Sequence, residues 1–535
     1  MCDITSLAIH TLYRSENLPM RYILFTICFC MAITKFSSAG EHAPNPPNIL
    51  FIYTDDQSYR TIGCYPDSYD FVRTPHIDQL AKKGMRFDAA YIGTWCMPSR
   101  AAMLTGHHQY GVQSMRMEGQ YPGSEYDSQQ CPFWPSVFRA NGYVTAQIGK
   151  WHTGTDNGFG RDWDHQKVWN RPAYPKNAGN YYDDQLIQID GDEGKAVSGY
   201  STDNYTDWAI DFIEGDNRDA AKPWYLWVCF GAVHGPFTPA DRHQQDYPNI
   251  KIPVPQDIYS PRPGKPDWMQ NINQWEKGAD GQPVMAGDGF QARTVDTKGI
   301  HGNTLSDWVR QYHQGVIAID EGVGRIMAAL DASGQRENTL VVFTSDQGFG
   351  WGQHGFRMKL APYDATTRSP MIVSMPGRIP KNTVCKTPVA GVDIAPTFFS
   401  FAGINLPWKM HGHDISPLLN KPKTKWGHPV LQTLTGRSYG ADTDTIPSDP
   451  EIRDLNGVPW WVSLREGNYK YIRTLVANEP EELYDLKRDP EELHNLAFYK
   501  KYHSLTLRLR AATIAELRRT DAKMVDHLPV VGTGY

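Results

Sequence analysis

The chain has little with which to hold a nucleic acid or a bilayer. Lys and Arg number 53 against 59 Asp and Glu, a formal charge of -6, so the dense basic footprint of a nucleic-acid binder is missing. Long apolar runs are missing too; the stretch Tyr22 to Thr34 is too short for a comfortable membrane span. Cysteine is scarce, 8 in 535 residues, and never spaced Cys-x-x-Cys, which argues against a zinc scaffold. No internal repeat or low-complexity segment is evident, so a repeat architecture is excluded.

What is present is ordinary globular composition, 40% hydrophobic and 21% charged, in a length that allows a large core and more than one domain. Aromatics are plentiful, with 16 Trp and 28 Tyr, and serve either as core or as sugar-stacking platforms. Residues 1–39 read as an export leader: Met20-Arg21, the apolar run, Lys35, then Ser37, Ser38 and Ala39 as a cleavage site. The residues before Met20 look unlike a leader, so Met20 is a candidate start, and an uncleaved signal-anchor is the rival reading. The expectation is an exported protein, periplasmic or secreted, without a membrane span in its mature form. Cleavage leaves Cys64, Cys96, Cys131, Cys229 and Cys385. That odd set suits one special Cys plus up to two disulfides, or four buried free thiols.

Short apolar runs recur, each followed by polar residues. Asn48 to Tyr53 leads to Asp55-Asp56, Tyr143 to Ile148 to Lys150 and His152, Trp224 to Phe230 to His234, and Leu340 to Phe343 to Asp346-Gln347; Met371 to Val373 is a further run. Such runs fit strands buried on both faces. Helix candidates lie between them, one capped by Thr74-Pro75 and a long one from Trp308 to Leu330. The alternation predicts an α/β sheet with helices on both sides, whose functional crevice lies beyond the carboxyl ends of the strands. Residues 155–204 and 240–303, rich in Gly, Pro, Asp and aromatics, read as loop insertions around that crevice. After Leu419 the composition shifts. Trp460 to Arg465 and Tyr469 to Ile472 read as strands joined at Gly467-Asn468, Glu482 to Leu486 as a third, and Tyr502 to Arg519 as a helix.

The centre of the chain is Cys96-Met97-Pro98-Ser99-Arg100. Proline suits the first turn of a helix running to Thr105 and closed by Gly106, which sets Cys96 near free N–H groups that attract anions. Arg100 adds a permanent charge. Taken alone, Cys96 reads equally as a buried thiol beside a helix start. The pentapeptide, continued by Ala101, Leu104, Thr105 and Gly106, resembles the signature of the sulfatases, in the alkaline phosphatase-like superfamily. The resemblance runs from about Pro47 to Leu496. It includes Leu483-Tyr484-Asp485-Leu486 with Asp489-Pro490-Glu491-Glu492, which is similar to the small C-terminal subdomain of that family. It implies a large, mixed, mostly parallel sheet sandwiched by helices over 45–419, and an α+β subdomain with a short antiparallel sheet over 420–535. It also implies that a maturation enzyme converts Cys96 to formylglycine.

Adjacent carboxylates at a strand end, Asp55-Asp56, make either a solvated turn or a cation site. With Asp346 and Gln347 the set offers three carboxylates and an amide oxygen, a hard-cation set, Ca²⁺ first and Mg²⁺ as the alternative. In the sulfatases the matching positions, with position 96, hold the metal against the sulfate; Gln347 stands where Asn or His is usual. The resemblance further implies sulfate contacts from Arg100, Lys150 and Lys359, and a base role for His152. It makes His234 a general acid or sulfate ligand, although a His there could equally be satisfied by backbone. His354 in Gly352-Gln353-His354-Gly355 is expected to support the substrate side, with Gln353 in place of the family's Glu. Arg161, His165 and His301 are candidate sugar contacts, as are Trp163, Trp169, Trp208, Trp268 and Trp275, which are read equally as core. The expected function is hydrolysis of sulfate esters on a sulfated polysaccharide or oligosaccharide. The alternatives are a phosphonate monoester or phosphodiester hydrolase with the same site, and an inactive glycan-binding relative signalled by Gln347 and Gln353.

Overall fold

The run from Asn48 forms the central strand, Asn48–Thr54, of a ten-stranded sheet. The structure is a computed structural model, described over residues 46–115, 126–215, 218–287 and 302–532. The expected leader and His301 lie outside the described residues. From edge to edge the strands are Thr383–Cys385, Met85–Phe87, Met371–Ser374, Thr339–Ser345, Asn48–Thr54, Trp224–Cys229, Val144–Trp151, His165–Asn170, Gln185–Ile189 and Lys195–Val197. From Thr339–Ser345 through His165–Asn170 neighbouring strands run parallel. The pairing therefore delivers several carboxyl ends to one rim.

Side-chain alternation explains the continuous apolar runs. Ile49, Phe51 and Tyr53 point into one core with Met97, Ala101 and Leu104 of the helix Cys96–Thr105 and with Phe398 and Phe399. Leu50 and Ile52 point into the other, against Val316, Ile319 and Val323 of the helix Leu305–Ala332 and Tyr205 of Ser201–Glu214. Each face is covered, so neither can carry polar residues. The long helix opens on a capping box between Thr304 and Asp307, a turn earlier than its apolar run suggests.

The 155–204 stretch is not the loop insertion expected. It contributes three strands that extend the sheet and the start of a helix. Those strands are half exposed, so they lack the continuous apolar run that marks the central ones. The aromatics expected at the mouth are largely core. Trp163 and Trp169 are fully buried and Trp268 and Trp275 nearly so, with Trp163 stacked near Tyr225 and Trp227; Trp208 is half-buried. The helix carrying the signature starts at Cys96 itself, which places Pro98 at its third position.

A separate antiparallel sheet joins Val430–Leu434, Trp461–Glu466, Tyr469–Thr474 and Glu481–Asp485 in that order. The predicted turn at Gly467-Asn468 is there, with Glu466 opposite Tyr469 and Gly467 at a φ of 57°. Leu509 and Leu517 of the helix His503–Arg519 pack on its Leu464, Tyr471 and Leu483. Among the described residues the five cysteines are free thiols; Cys131, Cys229 and Cys385 are buried like Cys96, whereas Cys64 is only half-buried.

Gly149 interrupts the strand Val144–Trp151 with a φ of 98°, and a Cβ there would stand 2.2 Å from the Cys229 carbonyl oxygen. Gly149→Ala should therefore cost about 2–4 kcal/mol, read as a lower urea unfolding midpoint. Gly427→Ala, whose Cβ meets nothing within 4 Å, should leave the midpoint unchanged. Equal midpoints for both variants would refute the close-approach argument.

Candidate active site

Strand register builds the site. Thr54 pairs with Ser345, so Asp55-Asp56 and Asp346-Gln347 leave adjacent strands side by side. The pairing continues past the strand ends, with the Asp346 N–H donating to Thr54 at 3.1 Å and the Asp55 N–H to Ala232 at 3.0 Å. Asp56 turns through a left-handed φ of 60°, which Asp tolerates better than most residues, and its N–H donates to Asp346 Oδ1 at 2.8 Å. All three carboxylates are buried.

Three cations face them, each from a different element. Lys150, near the end of Val144–Trp151, donates to Asp55. Arg100, one turn into the helix Cys96–Thr105, donates to the Lys150 carbonyl at 3.2 Å and lies 3.9 Å from Asp55 and 3.6 Å from Asp346. Lys359 donates to both oxygens of Asp56, at 2.6 and 2.9 Å, and to Cys96 Sγ at 2.9 Å. Burial by itself would lower the Lys359 ammonium, but Asp56 and Cys96 carry it well above its usual value. Burial, then the Asp55 charge, raises the Asp346 carboxyl well above the carboxylate range.

Cys96 is the first residue of its helix, and the N-cap Trp95 offers no side chain to the first-turn N–H groups. The positive end of the helix thus faces the cluster. Cys96 Sγ lies 3.8 Å from Asp56 Oδ1. Ligand atoms of Asp55, Asp56, Cys96 and Asp346 all fall within 4.8 Å of one another. Asp55 Oδ1, Asp346 Oδ2 and Gln347 Oε1 are buried oxygens without a hydrogen-bond donor. Orphaned buried acceptors cost about 1–3 kcal/mol each, and a hard divalent cation is the group that satisfies several oxygens together. The donor set therefore fits such a cation. Gln347 contributes in two ways: its amide N–H donates to Asp56 and its carbonyl is left for a ligand.

His234 is placed against the cluster. Its Nε2 stands 3.6 Å from Asp56, its Nδ1 bonds the Gly235 carbonyl at 2.8 Å, and its ring stacks on Tyr181 at 3.9 Å and 3°. His152 is engaged elsewhere, 3.0 Å from the Arg171 guanidinium, and burial followed by that charge holds it well below the usual imidazole range. The base role expected for His152 asks for a partner at position 96 that the structure does not give it. His354 supports from outside the cluster, bonded to Asp257 at 2.6 Å and packed on Tyr363. Arg161 is spent on Asp156 and Asp162. His165 opens its strand opposite Ala146, at the far end from the rim that Lys150 reaches. Neither Arg161 nor His165 joins the group.

Two residues missed from sequence belong to the rim. Arg171 follows the strand His165–Asn170 directly, and Tyr181 presents its ring to His234 and its hydroxyl to Lys150 at 3.5 Å. The strand-end rule that found Lys150 would have found Arg171, had its strand been recognised.

Fold and site together define a hydrolase of the alkaline phosphatase-like class. Within it the chain belongs to the sulfatase family, whose model matches residues 47–404, and it is thereby a sulfuric ester hydrolase. An N-acetylglucosamine-6-O-sulfatase of Bacteroides thetaiotaomicron is 29% identical over 539 residues, covering 92% of this chain and 90% of that protein. An ulvan-active sulfatase of Formosa agariphila is 26% identical over 500 residues, covering 91% and 84%. A solved structure in complex with D-glucosamine-2-N,6-O-disulfate superposes with a TM-score of 0.72 at 24% identity, covering 90% of this chain and 99% of that one. Family membership implies in general a divalent metal and a formylglycine.

Chelator-treated protein should recover stability when a divalent cation is added back. At a free ion concentration 100 times the Kd the gain is about 2.7 kcal/mol, read as a raised unfolding midpoint. Asp346→Ala should abolish the response; an equal rise in that variant would remove Asp346 from the ligand set.

Proposed function

We propose that this chain is an exported sulfatase that releases sulfate from a sulfated polysaccharide or oligosaccharide, with Ca²⁺ at the acidic cluster and Cys96 matured to formylglycine. One observation carries the reading: position 96 sits at a helix N-terminus between three buried carboxylates and three cations, Arg100 and Lys150 buried and Lys359 partly so. In this proposal residues 1–39 are removed at export, 45–419 hold the catalytic machinery and 420–535 form a supporting subdomain.

Asp55, Asp56, Asp346 and Gln347 would hold the ion, which supplies positive charge against the sulfate oxygens. A hydrated aldehyde at position 96 would supply the attacking oxygen, and its second hydroxyl would let sulfate leave where a serine would keep a stable ester. The chain's own residues do the remainder. Arg100, Lys150 and Lys359 are already directed at the cluster and neutralise oxyanion charge without reorganising. The sulfur–oxygen bond to the sugar breaks, and the departing oxygen takes a proton from Lys359 Nζ, which faces Asp56 and position 96. The Gly235 carbonyl takes the Nδ1–H of His234, and burial followed by the Lys359 charge holds that imidazole well below its usual range, so it presents a bare Nε2 and is not the acid.

The glycan part rests on the relatives, which are named for N-acetylglucosamine and ulvan, and on the disulfated sugar in the superposed structure. It does not rest on the tryptophans. The substitutions that pointed to an inactive relative have local uses: Gln347 keeps an oxygen at the cluster, and Gln353 accepts from the Trp351 N–H at 2.7 Å.

Cys96→Ala should lose essentially all sulfate release from defined sulfated glycans while keeping its unfolding midpoint. The intact mass of active wild-type protein should show position 96 as an aldehyde. Turnover in the alanine variant, or an unconverted thiol in active enzyme, would sink the nucleophile assignment. Faster turnover of an aryl phosphonate than of an aryl sulfate would move the function to phosphonate ester hydrolysis.

A further inference from the structure

The stretch Asp489-Pro490-Glu491-Glu492 has no place in the chemistry above, yet its last residue is nearly inaccessible, 1% exposed. Glu492 Oε2 accepts the Asp364 N–H at 2.5 Å, and its Oε1 pairs with Lys470 at 3.0 Å. Asp364 opens the short helix Asp364–Thr367, five residues after Lys359. Its carboxylate is held in turn by Lys470 at 2.9 Å, Arg465 at 3.3 Å and the Tyr91 hydroxyl at 3.0 Å. The segment between is tied to the same four-stranded sheet. The Leu360 carbonyl accepts from Trp461 Nε1 at 2.8 Å, and the Tyr363 hydroxyl donates to Glu482 at 2.9 Å. Glu492 is itself fixed, with its carbonyl accepting from Lys265 Nζ at 2.7 Å and Asp489 accepting from the next N–H groups, those of Leu493 and His494.

A lysine is a flexible point charge on a long stem, and its placement depends on where the backbone starts it. Leu360, directly after Lys359, adopts a φ of 89° that a leucine holds only under constraint from its surroundings. The anchors on either side of Tyr363 supply that constraint: Trp461 grips the Leu360 carbonyl and Glu492 the Asp364 N–H.

We propose that Glu492 is a positioning residue for Lys359, fixing through the Asp364 N–H the segment that brings the Lys359 ammonium to position 96. The inference rests on the sulfatase reading above and on the role given there to Lys359. Glu492 touches no reacting atom, and Lys470 keeps Asp364 as a partner when Glu492 is shortened, so loss of the carboxylate does not strand a buried ammonium.

The test is a double-mutant cycle in the full-length matured chain, with kcat and KM measured separately for E492A, K359A and the double variant. E492A should lower kcat about 10- to 100-fold with KM changing far less, the scale expected when a catalytic group is misplaced by about 1 Å. The double variant should be no slower than K359A alone, because both changes remove one function. E492Q, which keeps an oxygen for the Asp364 N–H, should recover most of the rate. E492D, whose shorter reach withdraws that oxygen while keeping the charge, replaces E492A in the cycle if the alanine variant does not fold. Losses that multiply in the double variant, a wild-type kcat in E492A, or a folded E492Q as slow as E492A would each overturn the positioning role. A fully active K359A enzyme would instead overturn the role of Lys359, and the positioning role with it.

Discussion

Three carboxylates crowded at the ends of two adjacent parallel strands are the constraint on which this structure depends. The register that pairs Thr54 with Ser345 leaves Asp55, Asp56 and Asp346 no room to separate. Like charges about 4 Å apart repel by about 4 kcal/mol at the effective dielectric of a protein surface, and by more in a buried site. Lys150, Arg100 and Lys359 offset this, and each comes from a different part of the chain. With the three carboxylates ionised around a divalent ion on the orphaned oxygens, Lys150, Arg100 and Lys359, with Arg171 at the rim, would leave the site positive. That balance suits an anionic ester and explains how so many ionised groups are tolerated out of water. A buried cluster of this kind contributes little net stability; its value lies in fixed charge at one place.

The same constraint decided which parts were legible in the sequence. Strands buried on both faces announce themselves as apolar runs, and their charged followers, Asp55, Lys150, His234 and Asp346, could be read as one rim. Gly149 and Asp56, whose positive φ values turn the chain at that rim, sit inside the same motifs. The edge of the sheet was not legible. His165–Asn170 and Gln185–Ile189 alternate between solvent and core, and a search for continuous apolar runs passes over them. Arg171 and Tyr181 were lost with those strands. The tryptophans of the same region were half misread, because an aromatic among Gly and Asp looks exposed until a sheet is found beneath it. His152 shows the limit of reading by position. It follows Lys150 by two residues, yet its ring is engaged by an arginine 19 positions on that only the fold brings near.

The small antiparallel sheet was visible as a motif, but its connection to the site was not, since nothing in local sequence says what a buried acid grips. One apolar cluster unites Trp95, the residue before Cys96, with Leu360, the residue after Lys359, and with Trp461, Ile472 and Tyr484 of that sheet. Position 96 and the Lys359 cation beside it are therefore seated on a common surface built by chain that is more than 90 residues downstream of either. Packing at this density transmits displacement, because interiors have few voids in which to absorb it. The small sheet therefore packs directly beneath both sides of the Cys96–Lys359 contact.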